Sequence, residues 1–327
     1  MSGRSPMTLF ADLADICRRD EPLAPRTWFR IGGPAEYFLL PRTDAQLAAI
    51  IRRCHESGTP LRFLGLGANV LVSDRGVRGA VVHLGDAHFS AMDFDADAAI
   101  VGAGADMTRL VLATVRGGLA GLEQLAGIPG SVGGGIAMNC GGRYGDISSA
   151  VQSVTVITPR GEIVERSASE LDFSYRHSAL GDDCVVRVRF ALRREDPAEL
   201  NRRFREIWDY KKATQPPLGD ASVGCIFRNP PGQSAGLLID RAGLKGTRIG
   251  TAYVSDRHAN FILSRSGGRA ADVLALIGQI RRRVRDHAGI ILQPEVRIWA
   301  DEEEYEQADW NKADRPAALA PAPAANA

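Results

Sequence analysis

Residues 127–142 read Gly127-Ile128-Pro129-Gly130-Ser131-Val132-Gly133-Gly134-Gly135-Ile136-Ala137-Met138-Asn139-Cys140-Gly141-Gly142, the longest glycine-rich run in the chain. So few large side chains let the backbone adopt conformations closed to other residues and leave successive N–H groups open to a pyrophosphate or a planar ring. Such a run is either a set of tight turns or a loop laid against a ligand. A second glycine loop, Gly65-Leu66-Gly67-Ala68-Asn69, comes after the strand-like Leu61-Arg62-Phe63-Leu64, and two such loops within one domain favour ligand contact. This is not a dinucleotide fingerprint, because G-x-G-x-x-G would need glycine where Val70 stands. The residues after the loop (Val70-Leu71-Val72, Asp74-Arg75-Gly76, Gly79 to Leu84) have the pattern of strand, turn, strand and not of a helix.

The flanking elements are legible from their spacing. Thr43-Asp44-Ala45-Gln46 is a capping box, Leu47, Ile50, Ile51 and Cys54 share one helical face, and Gly58 closes the helix. Strands are predicted at 99–102, 151–157, 162–166 and 185–192, with Val186, Val188 and Phe190 on one face. Helices are predicted at 107–116 and 196–213, the latter a joint between domains. Val273, Ile277, Ile280 and Val284 form a further helical stripe, beside which Arg281, Arg282 and Arg283 read as a solvated face. The acidic run 301–304 and the Ala/Pro-rich tail to residue 327 read as disordered.

Composition removes several function classes. The formal net charge is +1, so no global field draws nucleic acid or an acidic membrane, and any anion site is local. The five cysteines (Cys17, Cys54, Cys140, Cys184, Cys225) show no metal-like spacing, and their odd number fits reduced thiols in a cytoplasmic protein. No metal site is expected. The N-terminus lacks a signal-peptide core, and no run reaches the roughly 20 apolar residues of a membrane span.

Two segments carry proton chemistry. Val223-Gly224-Cys225-Ile226-Phe227-Arg228-Asn229-Pro230 sets a thiol in an apolar, basic run, and Gln293-Pro294-Glu295-Val296-Arg297 sets a carboxyl group directly after a proline. Arg228 and Arg297 beside them could hold an anion, which points to acid–base chemistry on an anionic substrate. Each residue also has a structural reading: a surface ion pair for Arg176, a buried small side chain for Cys225, an edge charge for Glu295, turn positions for Asn229 and Asn260. His258 is taken as structural.

In order, Thr27-Trp28-Phe29-Arg30-Ile31-Gly32-Gly33-Pro34-Ala35, the loop 65–71, the run 127–134, Ser174-Tyr175-Arg176-His177-Ser178, Gly224 to Pro230, His258-Ala259-Asn260-Phe261 and Pro294 to Arg297 resemble the UDP-N-acetylenolpyruvoylglucosamine reductase (MurB) family over residues 20–300. The resemblance implies an α+β fold: an FAD-binding domain of the vanillyl-alcohol-oxidase (PCMH) type in two subdomains, 21–197, and a smaller α+β substrate domain, 198–300. Residues 1–20 would be an N-terminal extension and 301–327 a tail.

It further implies non-covalent FAD, NADPH as reductant and a nucleotide-sugar substrate, with no nucleic-acid or membrane partner. The reaction would take the enolpyruvyl ether of UDP-N-acetylglucosamine to UDP-N-acetylmuramate, in peptidoglycan synthesis. The cofactor positions carried over are Gly65, Leu66, Gly67, Ala68, Asn69, Gly127, Ile128, Pro129, Gly130, Ser131, Gly133 and Gly134. The catalytic positions are Arg176, Cys225 and Glu295, and the substrate positions are Tyr175, Lys212, Asn229 and Asn260. Cys225 stands where the family commonly has Ser. Thr214 stands where some members have Lys, so Lys211 or Lys212 would take a diphosphate contact. The short link from Ser178 to Val185 leaves no room for the extra Tyr-bearing loop of one subclass. The alternative is another FAD-dependent oxidoreductase of the same fold.

Overall fold

The computed structural model describes residues 9–308 and Trp310. Its first layer is a four-stranded sheet in the order Cys17–Pro22, Pro34–Leu39, Val77–His83, Leu61–Leu64. The first pair is antiparallel and the other two pairings are parallel. Helix Asp44–Ser57 returns the chain between parallel strands, as such a connection requires. Thr43 Oγ1 accepts from the Gln46 N–H at 3.2 Å, and Gly58 ends the helix at φ +66°. The Gln46 side chain reaches back one residue further than a capping box predicts, to the Arg42 N–H. Residues 10–20 are no extension: Phe10, Leu13 and Ile16 are buried with Leu47, Ile50 and Ile51, and strand Cys17–Pro22 is a member of the sheet.

The second layer is an antiparallel five-stranded sheet, Ile163–Ser167, Val151–Ile157, Cys184–Ala191, Ala98–Gly102, Met92–Phe94. Helix Met107–Arg116 covers it through Met107, Leu110, Val111 and Val115, and Val188 and Phe190 fill the same core. Val186, predicted to share their face, packs instead with Ile157 and Cys184 against the 44–57 helix. One cluster therefore spans both sheets and fixes the two subdomains against each other.

Beyond helix Pro197–Thr214 lies a three-stranded sheet, Arg248–Ile249, Ala252–Val254, Ile262–Ser264, backed by helix Ala270–Ala288. Arg281 is not on a solvated face: it is 5 % exposed and its Nε donates to the Leu292 carbonyl at 2.9 Å. Strand Arg297–Trp299 then returns to pair in parallel with Val70–Val72 of the first region. The acidic run is likewise ordered. Asp301 caps helix Glu302–Gln307 through a complete capping box with Glu304. The rest of the predicted tail, apart from Ala308 and Trp310, lies outside the described residues. None of the described helices is long and apolar enough to cross a membrane.

Candidate active site

The two glycine loops lie against each other. A Cβ on Gly65 would fall 2.2 Å from the Ser131 hydroxyl, and one on Gly130 would touch Ala68. Gly67, at φ +68°, passes so close to the Arg26 carbonyl that a Cβ would sit 2.1 Å from it. Among the described residues, no protein acceptor meets the backbone N–H groups of Leu66, Gly67, Ala68, Gly130 or Ser131. Such clustered donors fit a phosphate-bearing ligand.

The second half of the run behaves differently. Ser131 caps the short helix Val132–Ala137, and the Gly133 and Gly134 N–H groups go to the Ala103 carbonyl and Ser131 Oγ. These two glycines, expected to contact the cofactor, are therefore not free donors. Gly133 instead permits close approach, because a Cβ there would lie 2.8 Å from that of Ala103. Asn69 turns its amide to the Glu295 carbonyl at 3.2 Å and accepts from the Arg297 N–H, tying the first loop to the far segment. Ile128 and Pro129 stand at the start of the longer run, where the Ile128 N–H goes to the Leu125 carbonyl.

Cys225 sits in an extended segment clamped on both sides. It bridges to Phe261, the Ile226 N–H donates to the Asn260 carbonyl at 2.9 Å, and the Glu295 N–H donates to the Ile226 carbonyl at 2.7 Å. This ladder brings residues some 70 positions apart in sequence onto neighbouring strands. Burial pushes the Cys225 thiol up to about 12, and the nearby Glu295 carboxylate adds to the effect. The thiol is thus held protonated.

Arg176 arrives on a tight turn made by the mutual bonds of Ser174 and His177. Its φ is +56°, an uncommon conformation for a residue with a side chain, and such outliers gather at functional sites. Its Nε donates to Glu295 Oε1 at 2.7 Å and an Nη donates to the Gly141 carbonyl at 2.6 Å. Burial pushes the Glu295 carboxyl above the usual range, outweighing the opposite pull of the Arg176 ion pair. On Arg176, burial alone would lower the pKa, and the Glu295 carboxylate reverses that to a net rise. Arg228 donates to the Arg176 carbonyl at 3.2 Å, while its buried Nε meets no acceptor among the described residues. It is within electrostatic reach of both Glu295 and Arg297.

The structure therefore brings Arg176, Cys225 and Glu295 together beside the glycine loops. The expected substrate positions fare unevenly. Tyr175 is half exposed, and its hydroxyl accepts from the Asn229 N–H at 3.2 Å. Asn229 Oδ1 accepts from the Ala235 N–H at the start of helix Ala235–Arg241. Asn260, 3 % exposed, spends both ends of its amide on the Phe227 backbone. It is a clamp on the Cys225 segment, not a free substrate contact.

Lys212 is exposed, whereas Lys211 turns inward and donates its ammonium to the Ala126 carbonyl. The helical phase explains the swap: Leu200, Ile207 and Lys211 fall on one face, and the first two are buried. Sequence reasoning also missed Asn139. It is 2 % exposed, stands at φ +42°, and donates to the Ser174 carbonyl that anchors the Arg176 turn. An Asn inside a glycine run was the available signal.

Residues 216–299 match the family model described as the UDP-N-acetylenolpyruvoylglucosamine reductase C-terminal domain, and residues 35–167 match one described as an FAD binding domain. The chain is 46 % identical over 286 residues to a UDP-N-acetylenolpyruvoylglucosamine reductase of Heliobacterium modesticaldum, covering 86 % of this chain and 90 % of that one. A reductase of the same description from Anaeromyxobacter is 43 % identical over 281 residues, covering 86 % and 87 %. In structure, the chain resembles the crystallised UDP-N-acetylenolpyruvylglucosamine reductase of Thermus caldophilus with a TM-score of 0.75 at 38 % identity. That alignment covers 87 % of this chain and 98 % of the other.

Proposed function

The chain belongs to the UDP-N-acetylenolpyruvoylglucosamine reductase family, FAD-dependent oxidoreductases of peptidoglycan synthesis with an α+β fold of the vanillyl-alcohol-oxidase type, and from that premise we propose which of its residues do the chemistry. The substrate is the enolpyruvyl ether of UDP-N-acetylglucosamine, the product is UDP-N-acetylmuramate, and NADPH is the reductant, in the cytoplasm. The absence of room between Ser178 and Cys184 supports the subclass without the Tyr-bearing loop.

FAD, when bound, supplies hydride to the terminal methylene of the substrate. The residues whose free N–H groups would hold its phosphates are Leu66, Gly67, Ala68, Gly130 and Ser131. As the methylene accepts hydride, negative charge builds on the α-carbon and spreads into the adjoining carboxylate. Arg176 and Arg228 stabilise that charge, and Glu295, raised by burial, can keep or share a proton beside it. Cys225 donates the proton that completes the α-carbon. A thiol held at about 12 is protonated throughout the neutral range and is still a competent acid toward a carbanion-like centre. Tyr175 and Asn229 line the same side of the site and would contact the nucleotide sugar.

The observation that carries this reading is the convergence of Arg176, Cys225 and Glu295 in one hydrogen-bonded corner. Stopped flow on the two half-reactions tests it. Cys225→Ala should leave reduction by NADPH nearly intact and slow reoxidation by the enolpyruvyl substrate, and Cys225→Ser should restore much of the second rate. Equal slowing of both halves in the Ala variant would make Cys225 a packing residue.

A further inference from the structure

Lys211 is a charged group at this corner to which the proton and charge chemistry gives no role. Its ammonium donates to the Ala126 carbonyl, and its stem lies over Gly127, with Cδ 3.0 Å from where a Gly127 Cβ would stand. An ammonium has three donors, and no carboxylate pairs with this one among the described residues. The charges within its reach are Arg176, a cation, and the thiols of Cys140 and Cys225, both held protonated by burial. Burial depresses Lys211 itself to about 8. A half-buried cation without a counter-anion costs stability, so its retention points to an anion that arrives with a ligand.

Lys211 is anchored to the flavin-domain loop at Ala126 and Gly127, not to the Tyr175–Asn229 pair on the substrate side. We propose that Lys211 is the cation that compensates the negative charge the flavin ring gains on accepting electrons, and so sets the electron affinity of the bound cofactor. It acts as a positioning and tuning residue, since charge beside a flavin shifts its electronics without entering the reaction. The inference rests on FAD being the cofactor, and its failure separates from the failure of that assignment. A wild-type protein that binds no flavin sinks the cofactor assignment, whereas the behaviour of the Lys211 variants concerns Lys211 alone.

The test uses the FAD-loaded protein and sulfite, an anion that adds to oxidised flavins and leaves the ring negatively charged. Sulfite is titrated into wild type, Lys211→Met and Lys211→Arg at matched flavin content, and midpoint potentials are measured with reference dyes. Lys211→Met should weaken sulfite by at least about tenfold, the scale of one lost charge interaction, and lower the potential. Lys211→Arg should recover most of both. Wild-type sulfite affinity should also fall as the pH rises through about 8, beyond the fall due to sulfite's own ionisation, and Lys211→Arg should abolish that extra fall. This last comparison decides the matter even where Lys211→Met loses its flavin. Affinity and potential within twofold of wild type in Lys211→Met, or the same pH dependence in Lys211→Arg, would overturn the proposal. An effect on substrate affinity without any effect on sulfite would reassign Lys211 to the nucleotide sugar's diphosphate.

Discussion

Glu295 shows how much one buried carboxyl can be asked to do. It accepts from Arg176 Nε at 2.7 Å, and its backbone bonds the Cys225 segment on one side and Asn69 on the other. Glu295→Gln keeps the shape and the backbone ladder but removes the charge. Turnover should fall by roughly two to four orders of magnitude, while FAD retention stays unchanged because the loop donors lie elsewhere. Near-normal turnover would take Glu295 out of the mechanism. At this scale the motifs carried the three residues that the structure brings together, Arg176, Cys225 and Glu295, for which we propose proton and charge handling. The sequence could not show which of two adjacent lysines faces the site, because the phase of the 197–214 helix is carried by only two fully buried residues, Leu200 and Ile207. Nor could it show that Asn260 is consumed by the Phe227 backbone, since that contact joins segments more than 30 residues apart.

The elements around the proposed cofactor cradle depend on glycines for two different reasons, and substitution separates them. Gly58 and Gly67 both have left-handed φ, +66° and +68°. Gly58 stands at the exposed end of its helix with nothing within 4 Å of a new Cβ, whereas a Cβ on Gly67 would strike the Arg26 carbonyl. Gly58→Ala should therefore cost only the conformational term, about 1 kcal/mol, and leave flavin binding as it was. Gly67→Ala must shift backbone in the loop itself, so the purified protein should lose most of its flavin. Thermal melts and the visible absorbance of the two variants check this, and equal flavin content would mean that residues 65–69 do not hold the cofactor. The short strands and the 44–57 and 107–116 helices were legible because their periodicity is local. The role of Gly133 and Gly134 was not, because it depends on Ala103 and Ser131 consuming their N–H groups.

On the scale of the whole molecule, the turn 73–75 joins the flavin region to the substrate region. Ser73 Oγ donates to Glu304 at 2.7 Å, the Asp74 carboxylate accepts from the Ala270 and Ala271 N–H groups, and Arg75 pairs with Asp301 and Glu303. Asp74 thus caps a helix whose own cap position, Arg269, supplies no side-chain bond. Composition made the acidic run look unfolded, yet Asp301 and Glu304 have the spacing of a capping box, a local signal masked by the density of like charge around it. Just beyond it, Trp310 is 4 % exposed, donates its indole N–H to the Leu274 carbonyl at 3.2 Å, and lies 4.7 Å below the Arg281 guanidinium. Removing that ring opens a cavity against the 270–288 helix and uncovers a buried cation. Trp310→Ala should therefore cost about 3–5 kcal/mol, at roughly 1–2 °C of melting temperature per kcal/mol for a chain of 327 residues. Asp74→Ala should cost about 1 kcal/mol, the usual scale for a lost cap. Asp74 and Trp310 act on the 270–288 helix through different residues and share no hydrogen-bond partner among the described residues, so the double variant should match the sum of the two single effects to within about 0.5 kcal/mol. A Trp310→Ala protein that melts within a degree of wild type would show that Trp310 takes no part in the cooperative fold.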